Sequence, residues 1–509
     1  MTIDVRLLPA QTPAVSLSPH TQRLLHGPIV ATLLQLAWPN ILVMLAQAST
    51  GLIETWWVSR LGTDALAGMA LVFPGFMMMQ MLSGGAMGGG ISSSIARALG
   101  GGRREDADAL VVHAIVINVA LGIAFSALFL AFGPSLYRAM GGEAGSLAAA
   151  LRYSNVVFAG TVLVWLMNAL ASVIRGTGNM FVPSAAICVS VALLIPLSPL
   201  LIFGFGPMPG LGIAGGAAAV LFTTALTTLV LGWYILSGRS VVRLSLRGMR
   251  AALFADILRV GAVGSVSTLQ TTLTVTLTTA LVGAAAGPDA VAGYGTGSRL
   301  EYLLIPLVFG LGAPLVALVG TNIGAGQPRR ALRIALIGGA LAFVLTEAIG
   351  LTASFFPQAW LGLFGHDPAM LRTGTAYLHS VGPTYGFFGL GLALYFASQG
   401  AGRLLWPLIA GLLRMVVAVG GLWIVLRLTG SLGWAFLAVG LGLAVYGVTL
   451  AVAVASGVWF RWRPADPYPA RAFVSSSRSI GSQAIAVCAT ALPPTPIVAR
   501  ATGRPPRRS

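Results

Sequence analysis

Lysine is absent from this sequence of 509 residues, and charged residues of all kinds make up only 8% of it. Soluble domains usually contain about 25% charged residues, so the composition excludes a soluble globular protein. A chain without lysine also lacks the phosphate-binding P-loop, whose lysine contacts the nucleotide. We therefore expect a chain with little soluble mass that does not itself hydrolyse ATP.

Cysteine and histidine are also scarce. The two cysteines, Cys188 and Cys488, imply neither a disulfide framework nor a metal site. His113, His366 and His379 are isolated, and no group of His, Cys and Asp has the spacing of metal ligands. The first 30 residues contain no short apolar core with a cleavage site, so we predict no removable signal peptide.

Apolar residues are abundant: 56% of the chain is hydrophobic and its mean hydropathy is +0.87. A helix needs about 20 apolar residues to cross a bilayer, and no recurring alternation of the kind found in membrane barrels is present. The sequence therefore predicts an all-α integral membrane protein with twelve transmembrane helices. The predicted spans are 31–59, 64–90, 107–132, 147–174, 181–204, 211–237, 257–283, 291–320, 329–355, 376–400, 403–428 and 432–460.

The net charge of +17 comes from arginines in short loops and in the C-terminal tail. Thirteen arginines lie in or beside one set of loops and five in or beside the opposite set. Because basic loops stay on the cytoplasmic side, both termini are predicted to be cytoplasmic in a plasma (inner) membrane protein. We expect membrane lipid as a partner of these arginines, and no nucleic acid.

Four features of the first half recur in the second half at an offset of 224 or 225 residues. An even number of spans gives both halves the same orientation, as in parallel repeats that rock during alternating access. The matching pairs are Arg175-Gly176-Thr177-Gly178 with Gln399-Gly400-Ala401-Gly402, Gly100 and Gly102 with Gly324 and Gly326, Gly62-x-Asp64 with Gly287-x-Asp289, and Tyr153 with Tyr377.

The repeat divides the chain into two six-helix lobes around a central cleft. The predicted parts are a cytoplasmic N-terminal segment, 1–30; the N-lobe, 31–237; a basic cytoplasmic linker, 238–256, which could lie on the inner leaflet; the C-lobe, 257–460; and a Pro-, Ser- and Arg-rich tail, 461–509, predicted to be disordered.

Glu54 is the most informative single residue, because it lies inside the first apolar span. A charged carboxylate costs about 2.5–3.5 kcal/mol at the bilayer centre, so an acid there is a functional candidate by default. The alternative is a glutamate at the helix end that reaches the interface beside Trp56, Trp57 and Arg60. The residue at the equivalent place in the repeat is Thr278, so an acid at this position belongs to the N-lobe alone.

The ordered set of short motifs resembles the multidrug and toxic compound extrusion (MATE) family, over residues 30 to 460. The resemblance implies two lobes around a cleft and efflux of organic, often cationic or amphiphilic, compounds by antiport against protons or sodium. The motifs are Trp38-Pro39, Glu54-Thr55, Arg60-Leu61-Gly62, Arg175-Gly176-Thr177-Gly178, Leu201-Ile202-Phe203-Gly204, Asn322-Ile323-Gly324-Ala325-Gly326 and Gln399-Gly400-Ala401-Gly402.

The resemblance also implies roles for particular residues. Glu54 stands where the family carries an acid that binds the coupling ion, and Asn168 stands where an asparagine joins the same polar cluster. Some proton-coupled members carry an aspartate where this chain has Ser198. Sodium-linked members carry acids in the seventh and tenth spans, where this chain offers Gln270 and no acid. We therefore predict proton coupling, with sodium as the alternative, and the nearest pattern is the DinF-like branch with its second acid missing.

Other polar and aromatic residues inside spans are weaker candidates. Glu347 and Arg414 are predicted to form a buried ion pair in the C-lobe, either as a structural pair or as an ion or substrate site. Residues that are candidates for the cleft or for substrate contact are Ser198, Gln270, Thr278, Tyr294, Glu301 and Tyr385.

Three functions are compatible with these observations. The first is a secondary antiporter for small molecules, without an obligate protein partner. The second is a flippase for lipid-linked glycans or lipids from the same superfamily, which would need a strongly cationic cavity. The third, a membrane-embedded enzyme, needs several reactive groups that converge, and we cannot assemble such a set from this sequence.

Overall fold

The computed structural model describes residues 19–206, 208–246, 248–457 and 459. All of them belong to one compact unit, Met1–Arg463. The predicted tail, 461–509, and residues 1–18 of the predicted N-terminal segment lie outside the described residues.

The first half is helical apart from one small hairpin. The π-helical segment Met81–Met87 joins α3 to α4, and strands β1 (Gly204–Phe205) and β2 (Met208–Pro209) pair antiparallel between α8 and α9. The helices are α1 (Pro19–His26), α2 (Ile29–Ser59), α3 (Thr63–Gln80), α4 (Gly88–Gly100), α5 (Arg104–Ala139), α6 (Ala144–Ala159), α7 (Thr161–Gly176), α8 (Phe181–Phe203) and α9 (Ile213–Leu236).

The second half is helical throughout. The 74-residue α10 contains a non-helical residue, Gly287, with φ 78° and ψ −171°. A 3₁₀ turn, Gly382–Thr384, precedes α14, and a π-helical segment, Val416–Gly420, follows α15. The helices are α10 (Ala251–Gly324), α11 (Pro328–Phe355), α12 (Pro357–Leu361), α13 (Pro368–Val381), α14 (Tyr385–Gly400), α15 (Leu405–Met415), α16 (Gly421–Thr429) and α17 (Leu432–Ala455).

Within the described residues, nine helices are long and apolar enough to cross a membrane. A tenth is obtained if α6 and α7, which meet at a 46° bend, count as one span. The number is below the predicted twelve because α10 counts once and the pair α13 and α14 is not included. The helices expose large apolar side chains, as a lipid-facing surface requires. Examples are Ile123, Phe132, Phe181, Val189, Leu229 and Val344.

The predicted repeat is present in the backbone. Glycines with positive φ occur at equivalent places in both halves, where the chain turns between helices. Positive φ is a conformation that glycine adopts without steric cost, which explains why these glycines recur in the sequence. The pairs, with φ in degrees, are Gly62 (107) and Gly287 (78), Gly102 (71) and Gly326 (69), Gly178 (87) and Gly402 (70), and Gly206 (58) and Gly430 (65).

The two lobes touch closely where α4 and α10 end. A methyl group placed on Gly100 would lie 2.0 Å from the carbonyl oxygen of Thr321, and one placed on Gly324 would lie 2.1 Å from that of Arg97. These two contacts are equivalent under the offset of 224 residues, so the two lobes are related here by a local pseudo-two-fold axis. Because the backbone of α4 packs directly against the backbone of α10, this end of the cleft is closed in the structure.

Arg97 ties the lobes together beside this contact. Its Nη2 lies 2.8 Å from Oδ1 of Asp256 at the start of α10, and its Nη1 donates to the carbonyl oxygen of Gly400, 3.1 Å away, at the end of α14. The Arg97 side chain is 12% exposed, so the ion pair is partly shielded from water. One N-lobe arginine therefore bonds to two C-lobe segments. We call this contact, made by Arg97, Asp256 and Gly400, the lobe clasp.

The predicted linker packs on the start of α5. Arg250 pairs with Asp106 at 2.6 Å, and the backbone N–H of Arg243 donates to Oδ1 of Asp108, 2.7 Å away. The linker becomes helical at Ala251 rather than at the predicted boundary of 257. Polar groups of the linker therefore bond to the N-lobe, and its contact with the inner leaflet stays a prediction.

Gly324→Ala is expected to destabilise the closed end of the cleft, because the new methyl group collides with the backbone of Arg97. Overpacking of this kind costs about 1–3 kcal/mol. The measurement is the apparent melting temperature of the purified protein in detergent. Gly295→Ala is the matched control, because no atom lies within 4 Å of a methyl group at that position of the same helix. Equal melting temperatures for the two variants would contradict the tight contact.

Candidate functional site

Glu54 lies near the C-terminal end of α2 and is buried, with 8% of its surface exposed. One carboxyl oxygen, Oε1, has no hydrogen-bond partner. Among the described residues, no ion pair involves Glu54. A buried carboxylate without a partner is costly, whereas protonation removes the charge that makes burial costly. The site therefore suits a carboxyl group that gains and loses a proton.

A narrow pocket joins Glu54 to α8. Thr50, Ile53 and Glu54 line it from α2, while α8 contributes Ser198 and two apolar residues, Leu194 and Ile195. The space is too small to hold a water molecule. The Ser198 hydroxyl is fully buried and also has no hydrogen-bond partner. Ser198, where some family members have an aspartate, therefore faces the same pocket as Glu54.

The nearest basic residue in the sequence, Arg60 at the C-terminal end of α2, does not form an ion pair with Glu54. The Arg60 guanidinium lies 3.9 Å from the ring centre of Trp56 and 5.2 Å from that of Trp57. Arg60 therefore contacts indole rings, while Glu54 is buried. The interpretation of Glu54 as an interfacial glutamate beside these residues is wrong.

Tyr153 on α6 is buried and close enough to Glu54 for the two to interact electrostatically. Tyr153 is the repeat equivalent of Tyr377. The N-lobe therefore places a buried tyrosine in the neighbourhood of its buried acid.

Asn168 is buried in α7 and belongs to a different part of the N-lobe interior. Its Nδ2 donates to Oε1 of Gln80 at 3.1 Å and to Oγ of Ser83 at 2.8 Å. These bonds tie α7 to the π-helical segment Met81–Met87, and π-helical turns are frequent at functional sites. The structure does not bring Asn168 into hydrogen-bonding contact with Glu54, so its part in ion coupling stays a prediction.

The C-lobe interior contains another acid, Glu301 on α10, whose side chain is largely but not fully buried. The Tyr377 hydroxyl donates to Oε1 of Glu301, and Nη2 of Arg414 lies 4.0 Å from Oε2. The side chains of Glu301 and Arg414 are 14% and 12% exposed. In the C-lobe, Tyr377, the repeat equivalent of Tyr153, therefore bonds to an acid, although Glu54 and Glu301 come from non-equivalent helices.

The predicted ion pair between Glu347 and Arg414 is wrong. Oε2 of Glu347 accepts a hydrogen bond from the backbone N–H of Gly386, 2.6 Å away, in the first turn of α14. That turn follows the 3₁₀ break at Gly382–Thr384, and its N–H groups attract a negative charge. Glu347 stabilises the start of a helix, while the acid beside Arg414 is Glu301.

The remaining candidates lie in the C-lobe interior. Tyr294 packs edge-on against Tyr377, with ring centres 5.3 Å apart, and Tyr385 is fully buried. Gln270 is buried, and its Nε2 has no partner. Thr278 donates to the carbonyl oxygen of Thr274 in its own helix. Sequence reasoning missed Tyr377 as a site residue, although its match to Tyr153 was visible in the repeat.

Comparisons with known proteins support the sequence resemblance. The MatE family model matches residues 39–200 and 265–424, which is more than half of the chain. The two matched segments fall in the two lobes, as the repeat requires.

Several curated relatives align with most of the chain. The FAD transporter of Shewanella oneidensis is 28% identical over 401 residues, which cover 77% of this chain and 87% of the relative. The probable multidrug resistance protein YoeA of Bacillus subtilis is 27% identical over 377 residues, covering 72% and 81%.

Solved structures agree with this assignment. The chain resembles a MATE structure in the bent conformation, with a TM-score of 0.80 and 25% identity over 87% of this chain and 98% of that one. A MOP superfamily transporter from Pyrococcus furiosus, described as having a binding pocket of reverse polarity, gives the same TM-score, identity and coverage. The chain belongs to the MatE family and is a multi-pass membrane transport protein.

Proposed function

We propose that this protein exports organic compounds in exchange for protons by alternating access, with Glu54 as the proton carrier. The observation that carries the proposal is the buried Glu54 carboxyl group, which has an oxygen without a partner and faces the unpartnered Ser198 hydroxyl. Protonation makes the group neutral and compatible with its apolar surroundings. Loss of the proton creates a charge that the pocket does not compensate, and this difference can bias the lobes between two states.

The lobe clasp indicates which end of the cleft is closed in this state. The structure is closed at the end that carries Arg97, Asp256 and Gly400. By the arginine distribution, this is the cytoplasmic end. In the proposed cycle, protonation of Glu54 from the outside favours release of the substrate there. Opening of the clasp then exposes Glu54 to the cytoplasm, where the proton leaves.

Sodium is the less favoured coupling ion. A bound alkali cation needs several oxygen ligands in place of its water. Beside Glu54, the pocket lining contributes only the hydroxyl oxygens of Thr50 and Ser198, and the seventh span carries Gln270 where sodium-linked members have an acid.

Two substrate classes are supported to different degrees. Relatives named as multidrug resistance or export proteins support organic drugs. The relative named as an FAD transporter supports an anionic, nucleotide-like substrate. The buried Arg414 in the C-lobe favours this second class. The lipid-linked glycan flippase is less well supported, because such a cargo would need a more strongly cationic cavity.

The proposed topology is twelve spans, with both termini in the cytoplasm of the inner membrane. A helix of 74 residues is far longer than a bilayer at about 1.5 Å per residue, so the break at Gly287 divides α10 into two spans. The pair α13 and α14 supplies one further span, broken by the 3₁₀ turn. Assignment to the DinF-like branch stays a prediction.

The test is transport in proteoliposomes with a pH gradient and a sodium gradient imposed separately. A fluorescent organic cation and FAD serve as the two probes. We expect a pH gradient alone to drive transport of at least one probe, with no added effect of sodium. Transport that follows the sodium gradient and ignores the pH gradient would contradict proton coupling.

A further inference from the structure

The C-lobe contains a polar pocket that is separate from Glu54 and is formed mainly by α10, α14, α15 and α17. Its empty volume is about 320 Å³, including its open mouth. That volume lies at the lower end of the range for small-molecule sites, so the pocket suits one end of a substrate. Its polar lining includes Ser267, Gln270, Tyr395, Arg414 and Tyr446.

Arg414 gives this pocket a positive charge that is only partly balanced. The nearest acid, Glu301, lies 4.0 Å away, which is too far for a hydrogen bond, and it already accepts from Tyr377. The guanidinium also lies 5.4 Å from the ring centre of Phe388 and 5.8 Å from that of Tyr446. The guanidinium group has five N–H donors. Contacts with aromatic rings do not satisfy these donors as an anionic acceptor would.

Gln270 provides a second donor in the same pocket. Its Nε2 is buried and has no hydrogen-bond partner. Gly411 permits its position, because a methyl group there would lie 2.6 Å from Oε1 of Gln270. The π-helical segment Val416–Gly420 begins directly after Met415, next to Arg414, and such segments are often found at functional sites. The pocket therefore offers donors from two helices, α10 and α15, and the residues that line it include no carboxylate.

We infer that Arg414 and Gln270, which line one pocket, bind an anionic group, a phosphate or carboxylate, of a soluble organic substrate. Arginine is suited to this role because its planar guanidinium group can donate two parallel N–H bonds to two oxygens of either group. The phenol hydroxyls of Tyr395 and Tyr446 line the same space and can donate as well. The remainder of the substrate would lie outside the pocket mouth. This inference rests on the transport function proposed above and specifies one chemical feature of the cargo.

The test is equilibrium binding of AMP, with adenosine as the probe that lacks the phosphate, to the full-length protein in detergent without an ion gradient. Wild-type protein should bind AMP saturably and adenosine much more weakly. Arg414→Gln should weaken AMP binding at least about tenfold, since truncating one partner of a buried charge pair is costly. Arg427→Gln, which changes an exposed arginine of α16, is the matched control and should bind like wild type.

A second variant keeps the test decisive if Arg414→Gln does not fold. Gln270→Glu keeps the size of the side chain and adds a negative charge, so it too should abolish AMP binding. Equal affinity of wild type and a folded Gln270→Glu variant, or no saturable AMP binding by wild type, would overturn the inference. Binding of phosphatidate micelles without binding of AMP would also overturn it, because the pocket would then serve a lipid headgroup.

These outcomes are independent of the proton proposal. If AMP does not bind while Glu54-dependent transport of the cation persists, only the anion pocket is refuted. If AMP binds through Arg414 while transport ignores the pH gradient, only the coupling proposal is refuted.

Discussion

Glu54→Gln is expected to lose transport driven by a pH gradient, with a fall of at least about tenfold, because the glutamine amide does not ionise and so cannot carry a proton through the cycle. The substitution keeps the size and polarity of the side chain, so the packing of α2 on α8 should persist. The measurement is uptake or efflux of the transported probe in proteoliposomes with an imposed pH gradient and no sodium.

Two control variants test whether the effect is specific to the Glu54 carboxyl group. Glu105→Gln is the same chemical change at an exposed acid at the start of α5, and it should transport like wild type. Ser198→Ala removes the unpartnered hydroxyl from the Glu54 pocket, and it should leave coupling in place because the carboxyl group remains. Loss of coupling in Glu105→Gln would show that the effect is not specific to Glu54.

Arg97→Ala is expected to open the end of the cleft that is closed in the structure. Loss of this side chain removes the ion pair to Asp256 and the hydrogen bond to Gly400 together. Asp256→Asn removes only the ionic part, and partly exposed pairs usually contribute about 0–1 kcal/mol. The arginine variant should therefore have the larger effect, on the conformational equilibrium and on the transport rate.

The measurement for the lobe clasp is the distance between spin labels on the two lobes. Labels at the exposed positions Glu105 and Arg329 lie at the clasp end, after Cys188 and Cys488 have been changed to serine. Arg97→Ala should add a population with longer distances, and Asp256→Asn should add a smaller one. An unchanged distance distribution in Arg97→Ala would show that backbone packing at Gly100 and Gly324 is sufficient to keep this end closed.

The architecture was largely predictable from local chemistry. Long apolar runs predicted the helices, because membrane spans must satisfy their own backbone groups. The glycine pairs predicted the repeat, because turns with positive φ favour glycine, and Gly102 and Gly326 therefore stand at equivalent places in the two halves. The place of Gly287 between two predicted spans was also visible, although the structure joins both helices into α10.

The site was less predictable, because burial and pairing depend on how helices rotate about their axes. Sequence position alone suggested that Glu347 and Arg414 could meet, since both lie mid-span in one lobe. The 3₁₀ break before α14 instead presents the Gly386 N–H to Glu347 and leaves Glu301 beside Arg414. The family resemblance singled out Glu54 and Ser198 separately, and it is the packing of α2 on α8 that brings them to one pocket. The bonds of Asn168 to Gln80 and Ser83 were not visible in the sequence.

The most direct test of the central claim follows protons and substrate at once in sodium-free proteoliposomes with a pH indicator inside. We expect wild type and Glu105→Gln to move protons in the direction opposite to the substrate, and Glu54→Gln to move them at least about tenfold more slowly. Proton movement by Glu54→Gln at the wild-type rate would contradict the assignment of Glu54 as the proton carrier.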